Sequence, residues 1–270
     1  MSKKRLKQKR RGARLIAAGI GLGVLLIILA ILTALLWHPN VRIQDIAVAG
    51  TTEVSPSSLA RALQNDMEER RWLVIPQDSI FFFDKQKLED GVMQSFPRIS
   101  SIELSRAGAT TLDARVEERD PALLWCGETN INTSACWLGD TNGLLFEQAT
   151  TTAPFPRIYG PLQEAADPEG SSVLRRGSAS SVIALIETLE EAGIAVAYTT
   201  LRAPDEVDVF LAQDIRVTYL LGREARVAEV LPSLLDEVST PEQEPVEYID
   251  LRFGNRVFVK RHEQLLDTTE

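Results

Sequence analysis

The feature that most constrains this chain is an unbroken run of 23 uncharged residues, Leu15–Trp37. A helix of that length spans roughly 34 Å at about 1.5 Å per residue, enough to cross a hydrocarbon core about 30 Å thick. Trp37 closes the run, where an indole ring suits the interface between membrane and water. We therefore predict a membrane anchor in the lipid bilayer that begins at Leu15 and ends at Trp37.

The residues before this run predict its orientation. Residues 1–14 contain eight Lys or Arg side chains and no acidic one, and basic flanks favour the cytoplasmic side. The prediction is a single-pass protein of the cell membrane, with a cytoplasmic arm at 1–14 and the chain from residue 38 onward outside the cytoplasm. The alternative is a cleaved signal peptide. Its apolar core is usually about 7–15 residues long and is followed by an A-x-A site, which this sequence lacks.

The part of the chain after the basic arm is acidic. It keeps 21 of the chain's 29 basic residues against all 38 acidic ones, a net charge of −17. Nucleic-acid binding needs a positive surface, so we predict no nucleic-acid partner for this part. The basic arm stands directly before the anchor, and this position favours a role in membrane topology.

The two cysteines, Cys126 and Cys136, lie ten residues apart, and each is next to a Trp. The segment between them is polar and typical of a turn, so two flanking strands would place the cysteines opposite each other. An oxidising compartment would then permit a disulfide. The alternative is a pair of free thiols buried as small apolar side chains. A metal site is disfavoured because two cysteines without a nearby His supply only half of the usual ligands.

The part of the chain after the anchor alternates between strand and helix signals. The pattern predicts a strand at Val41–Ala49, a helix that begins at Ser55, and a second helix capped by Asp84. Two segments of alternating apolar and polar residues follow, with Gly108 between them. The order strand, helix, helix, strand, strand resembles a POTRA domain, a small interaction module, to which we assign residues 41–118.

Residues 119–261 predict a second, mixed α/β domain, and residues 262–270 a polar tail. Two helices are expected, Ser178–Ala192 and Arg226–Val238. The predicted strands are Ala122–Cys126, Ala135–Leu138, Leu144–Phe146, Ala195–Leu201, Val207–Leu211, Ile215–Leu220, Val246–Leu251 and Arg256–Lys260. The fold class is therefore α+β, with a transmembrane helix in front of two extracytoplasmic domains.

Four motifs follow one another along the chain. The first three are IQDIAVAG (Ile43–Gly50), VEERDPALLW (Val116–Trp125) and DTNGLLF (Asp140–Phe146). The fourth is VTYLLG (Val217–Gly222), followed after a helix by YIDLRFGNRVFVK (Tyr248–Lys260). In this order they resemble the FtsQ/DivIB family of bacterial cell-division proteins, and the closing motif is the most specific. One departure is the segment Arg70–Phe83, which is longer than the usual link between the two POTRA helices.

The resemblance implies a non-catalytic scaffold of the division machinery at the septum, with no cofactor or metal. It implies binding of FtsB-like or DivIC-like proteins and of FtsL-like proteins, through a partner strand that joins an open edge of the second domain's sheet. Other divisome members are expected to contact the POTRA domain. Carried over to this sequence, the partner-binding residues are Arg252, Phe253, Asn255, Arg256, Val257 and Phe258.

Two other hypotheses compete with this one. Another POTRA-bearing envelope scaffold, in secretion or envelope assembly, would be expected to carry a barrel or several POTRA repeats. An anchored enzyme or solute-binding protein would need a convergent polar site, yet the chain has no P-loop, H-E-x-x-H or G-x-S-x-G motif. Its two histidines, His38 and His262, lie beside the anchor and in the tail. Glu117 and Glu118 alternate along a strand, so we expect both to be solvated.

Overall fold

The computed structural model describes residues 19–31, 33–34, 38, 40, 42–69, 79–80, 83–129, 135–149, 152–163, 167–175, 177–203, 205–238, 244–254 and 256–262. These residues form two compact units. The first runs up to Glu118 without residues 96–98, and the second contains residues 96–98 and the chain from Arg119 onward. Each unit is described by itself.

Residues 19–31 are helical, and their side chains are largely exposed. The ends of the predicted anchor, Leu15 and Trp37, lie outside the described residues, as does the basic arm at 1–14. Within the described part of the chain, no helix combines the length and the apolar character that crossing a bilayer requires. Of the long segment Arg70–Phe83, the structure describes only three residues, Ser79, Ile80 and Phe83.

The first unit has the predicted order of elements. They are β1 (Asp45–Ala49), α1 (Pro56–Glu69), α2 (Lys85–Ser95), β2 (Ile99–Arg106) and β3 (Thr111–Glu118). Strand β3 lies in the middle of the sheet, parallel to β1 and antiparallel to β2. The capping role predicted for Asp84 is confirmed, because its Oδ1 accepts the backbone N–H of Lys87 at 3.3 Å.

Local patterns account for the core of this unit. Leu59, Leu63 and Met67 recur at helical spacing on α1 and are buried, as are Leu88 and Val92 on α2. Alternate residues of β2 and β3 are buried as well. Each helix thus buries one apolar side, and the sheet buries one face. The packing of these surfaces against each other stabilises a three-stranded sheet with two helices.

The turn that follows β1 is held by Glu118, which we expected to be merely solvated. Its Oε1 accepts the backbone N–H groups of Thr52 at 2.8 Å, Glu53 at 3.1 Å and Val54 at 2.9 Å, and its Oε2 accepts the Thr52 hydroxyl at 2.9 Å. Partial burial opposes ionisation, but these bonds outweigh it and lower the pKa of Glu118 to about 2. The expectation failed because the turn is more than 60 residues away in sequence.

We expect Glu118→Gln to destabilise the first unit by about 1–2 kcal/mol, because a neutral amide accepts these hydrogen bonds more weakly than a carboxylate. Since the pKa in the folded state lies below its ordinary value, the contribution of Glu118 is full above pH 4.5 and is lost as the pH falls toward about 2. Hydrogen exchange of the amides in β1 and α1 measures it.

The matched control is Glu117→Gln, because the Glu117 carboxylate accepts the hydroxyl of Ser101 and lies on the same strand. Equal exchange rates in the Glu117 and Glu118 variants at neutral pH would contradict this role for Glu118.

The described residues of the second unit form one nine-stranded sheet and two helices. The helices are α3 (Ser178–Glu191) and α4 (Glu224–Val238). The strands are β4 (Leu123–Trp125), β5 (Cys136–Gly139), β6 (Leu145–Ala149), β7 (Arg157–Tyr159), β8 (Val196–Ala203), β9 (Glu206–Leu211), β10 (Arg216–Leu220), β11 (Val246–Asp250) and β12 (Phe258–Arg261). Their order across the sheet is β12-β11-β10-β9-β8-β7-β4-β5-β6. Strand β7 was not predicted, and β12 begins two residues later than expected.

Both helices pack against the sheet through shared apolar clusters. Leu185 and Leu189 of α3 and Leu231 of α4 lie in one cluster with the inward-facing residues of β9, β10 and β11. A second cluster joins α3 to β4, β6 and β7. Pro232 lies inside α4, and the helix continues through it to Val238.

The DTNGLLF motif is a turn organised by one buried carboxylate. Asp140 Oδ1 accepts the backbone N–H groups of Asn142 at 2.8 Å and Leu144 at 3.1 Å, which shapes the turn between β5 and β6. Its Oδ2 accepts Nη1 of Arg119 at 2.6 Å. Arg119 belongs to the VEERDPALLW motif, so two of the four motifs are joined by this ion pair.

A disulfide joins Cys126 and Cys136. Cys126 directly follows β4 and Cys136 begins β5, and the neighbouring Trp125 and Trp137 are partners in the same ladder. Both cysteines are buried. The hairpin of β4 and β5 is therefore closed by a covalent bond near its loop.

Candidate functional site: the open edge of the large sheet

Strand β12 lies at one end of the nine-stranded sheet. It is antiparallel to β11, and no strand among the described residues pairs with its other side. Val257, just before the strand, and Val259 pack against the core under the helices. Phe258 and Lys260 alternate with them and therefore point to the opposite face.

The backbone N–H and C=O groups of β12 also alternate in direction from one residue to the next. The N–H of His262 donates to the carbonyl of Pro245 at 3.0 Å, so His262 directs its backbone groups toward β11. Every second residue of a strand does the same, which assigns Lys260 and Phe258 to that side. The N–H and C=O of Val259 then point away from β11, toward the open side of the sheet.

Two phenylalanines stand exposed beside this edge. Phe253 is 52% exposed and Phe258 is 49% exposed. Outside the helical segment 19–31, they are the only exposed large apolar side chains of the described residues. Their rings meet edge to face with centroids 5.4 Å apart. Two aromatic rings together on an open strand edge form the strongest apolar surface feature of this unit, which is typical of a binding hot spot.

Arg252 was predicted as a donor to a partner, but its guanidinium is held by carboxylates of the same unit. Nη2 lies 2.7 Å from Asp250 Oδ2, Nε lies 3.0 Å from Asp250 Oδ1, and Nη1 lies 2.6 Å from Glu206 Oε1. Burial opposes ionisation of Asp250, yet the bonds from Arg252 lower its pKa below the ordinary value. Hydrogen bonds to Asp250 and Glu206 likewise raise the pKa of Arg252.

The remaining predicted contact residues differ in their surroundings. Arg256 is exposed, and its N–H donates to the carbonyl of Phe253 at 2.8 Å, which closes a turn before β12. The N–H of Arg256 is used in this bond, and the strand begins at Phe258 and not at Arg256. Val257 faces the core. Asn255 lies outside the described residues.

A row of side chains across the sheet was not predicted. Phe210, Arg216, Tyr248 and Lys260 are direct neighbours on β9, β10, β11 and β12. The Arg216 guanidinium lies 5.0 Å and the Lys260 ammonium 5.9 Å from the centre of the Tyr248 ring. Cation–π contacts of this kind stabilise cross-strand pairs and fix their register. No local pattern signals the row, because its members come from four separate strands.

The opposite end of the sheet is partly covered. The N–H of Leu145, at the start of β6, donates to Ser171, and its carbonyl accepts from Gly170, both at 2.8 Å. Val173 donates to Gly143 in the same stretch. The segment that ends at Val173 therefore satisfies backbone groups of β6, so the two ends of the sheet differ in what they offer a partner strand.

The other candidate sites offer few titratable or metal-binding side chains. A groove of about 420 Å³ lies between α3 and α4, and Glu224 is the titratable side chain that lines it. The rest of the lining consists mainly of small side chains, among them Ala184 and Ala228. In the described ranges, no group of three or more His, Cys, Asp or Glu side chains is arranged to hold a metal ion.

Comparison with known proteins identifies the first unit. Residues 41–119 match the family model described as POTRA domain, FtsQ-type. No curated protein matches the chain. A domain of this type is typical of non-catalytic scaffolds in the division machinery that work through protein–protein interactions. Residues 41–119 of this chain are therefore a POTRA domain of the FtsQ type.

Proposed function

We propose that this chain is a membrane-anchored divisome scaffold that captures a strand of its partner along β12. The partners are the FtsB-like or DivIC-like and the FtsL-like division proteins, outside the cytoplasm at the septum. The observation that carries the proposal is an open strand edge with two exposed phenylalanines beside it, Phe253 and Phe258. In this proposal the segment Leu15–Trp37 is the anchor and the POTRA domain contacts further divisome members.

Strand addition fits the chemistry of this edge. An incoming strand would satisfy the outward backbone groups of Val259 and bury the aromatic rings against its own side chains. The other end of the sheet is less suited, because part of β6 is already paired with its own chain. This difference between the two edges predicts that a partner strand adds at β12 and not at β6.

The charge around β12 predicts the composition of the partner strand. Residues 252–262 include four Lys or Arg side chains and no Asp or Glu, although the whole chain carries a net charge of −9. Arg252 is paired with Asp250 and Glu206, and Lys260 lies 2.7 Å from Glu247, so Arg256 and Arg261 supply most of the positive charge that attracts an acidic partner and disfavours a basic one. We expect a strand that combines carboxylates with apolar side chains.

The test is binding of the purified chain to the extracytoplasmic segments of the FtsB-like and FtsL-like proteins from the same cell, measured by calorimetry. We expect Phe253→Ala with Phe258→Ala to weaken binding by at least about 30-fold, since truncation of a hot-spot residue costs about 2 kcal/mol or more. The control is Gln148→Ala, an exposed residue on the other edge strand, β6. Equal loss in both variants would contradict a site at β12.

A backbone-directed variant separates strand addition from docking through side chains alone. Val259→Pro removes the outward N–H and leaves the bonds between β11 and β12 in place. Val259→Ala is its matched control, because it loses the same packing and keeps the N–H. We expect weaker binding for the proline variant than for the alanine variant. Equal binding by the two, with the fold intact by circular dichroism, would contradict strand addition.

A further inference from the structure

The Arg252 guanidinium has little capacity left for a partner. Its three nitrogen atoms all bond carboxylates of Asp250 and Glu206 at 2.6–3.2 Å. Its backbone is fixed as well, because its N–H donates to Asp250 Oδ1 at 3.0 Å and its carbonyl accepts Nη1 of Arg223 at 2.9 Å. A side chain held at both the main chain and the guanidinium loses little freedom when a partner binds.

The carboxylates that hold Arg252 belong to a larger network on the same face. Glu206 lies on β9, and Arg202 on β8 reaches it at 3.8 Å. Arg202 also pairs with the buried Asp208 at 2.5 Å, and Asp208 accepts the hydroxyl of Thr218 at 2.6 Å. Glu206 therefore lies between the guanidinium groups of Arg202 and Arg252, and Arg202 is itself held by the buried Asp208.

The same network reaches the exposed rings. The Arg252 guanidinium lies 5.5 Å from the centre of the Phe253 ring, and Phe253 meets Phe258 of β12 edge to face. A continuous chain of contacts thus runs from Glu206 through Arg252 and Phe253 to Phe258. Of these four side chains, those of Phe253 and Phe258 are the ones that stand open to solvent, at 52% and 49% exposure.

We propose that Arg252 is a positioning residue, held by Glu206 and Asp250, which sets the rings of Phe253 and Phe258 before the partner strand arrives. This inference rests on the proposed docking at β12. A surface that is already ordered loses less entropy on binding, so the network raises affinity without touching the partner. Glu206 then contributes to binding although it lies three strands away from the edge.

The proposal predicts the sign of one substitution. If Arg252 contacted an acidic partner directly, Glu206→Gln would free Nη1 of Arg252 for that contact. Binding of the partner would then be unchanged or stronger. If Arg252 positions the rings, Glu206→Gln loosens it and weakens binding. Glu206 suits the test because its side chain is 29% exposed, so that loss of its charge does not leave an unpaired group in the core.

The experiment uses the full chain and two measurements. The first is binding of the same FtsB-like and FtsL-like segments, for which we expect Glu206→Gln to lower affinity about 5- to 10-fold. The control is Glu187→Gln on the exposed side of α3, which removes the same charge elsewhere. The second measurement needs no partner. It follows the 19F resonances of 4-fluorophenylalanine at positions 253 and 258, assigned by Phe→Leu variants.

The outcomes separate this proposal from the function on which it rests. Weaker binding together with 19F shifts toward the values of an unfolded peptide, in Glu206→Gln but not in Glu187→Gln, supports positioning. Unchanged or tighter binding in Glu206→Gln, with loss of binding in Phe253→Ala with Phe258→Ala, overturns positioning and leaves docking at β12 intact. If the phenylalanine variant binds normally, the docking proposal fails. The 19F spectra then still decide whether Glu206 orders the rings.

Discussion

Gly50→Ala is expected to destabilise the POTRA domain by about 3–5 kcal/mol. Gly50 directly follows β1 and has a φ of +92°, a conformation that side-chain-bearing residues rarely adopt. A Cβ built there lies 2.1 Å from the carbonyl oxygen of Val116 on the central strand. The added methyl group therefore strains the turn and pushes β1 away from β3, and a domain with a typical stability of about 5–15 kcal/mol loses a large share of it.

The matched control is Gly108→Ala, between β2 and β3 of the same domain. A Cβ at Gly108 meets nothing within 4 Å, so this variant should keep its stability within about 1 kcal/mol. Hydrogen exchange of the β1 and β3 amides in the full chain compares the two. Protection that is equally high in both variants would contradict the close approach of Gly50 to Val116.

The elements that were predicted correctly are those whose signals are local. The helix α2 begins after its capping residue Asp84, and β2 and β3 follow from strict alternation of apolar and polar residues. The short strand β7 was missed because it has three residues, Arg157–Tyr159. Its partners β4 and β8 are far away in sequence and pair with it in parallel. Nothing within the strand itself distinguishes it from the surrounding loop.

In the candidate site, too, local features were predicted and contacts between distant residues were not. The closing motif predicted which segment reaches the sheet edge, and Phe253 and Phe258 are exposed there. It did not predict the ion pairs that Arg252 makes within its own unit, because the acid that holds one end of its guanidinium, Glu206, is 46 residues away. Glu118 was misjudged for the same reason. A sequence pattern shows that a charge is present, while the partner that decides its role is supplied by the fold.

Loss of the disulfide is expected to lower the stability of the second unit by about 2–3 kcal/mol. The bond closes a loop with a sequence separation of 10 residues, and such a cross-link restricts the unfolded chain more than the folded one. Cys126 and Cys136 also pack with Leu124 and Tyr159 in a small apolar cluster. The measurement is urea unfolding of the full chain with and without reductant, followed by tryptophan fluorescence, because Trp125 adjoins Cys126.

The double variant Cys126→Ala with Cys136→Ala distinguishes the bond from its side effects. It should unfold at the lower urea concentration of the reduced protein and no longer respond to reductant. If reductant instead lowers the stability of both proteins equally, the effect does not come from this disulfide. If it changes neither, and the variant is as stable as the original chain, the cross-link does not stabilise the fold. The expected result would tie the full stability of this unit to an oxidising compartment, where such a disulfide persists.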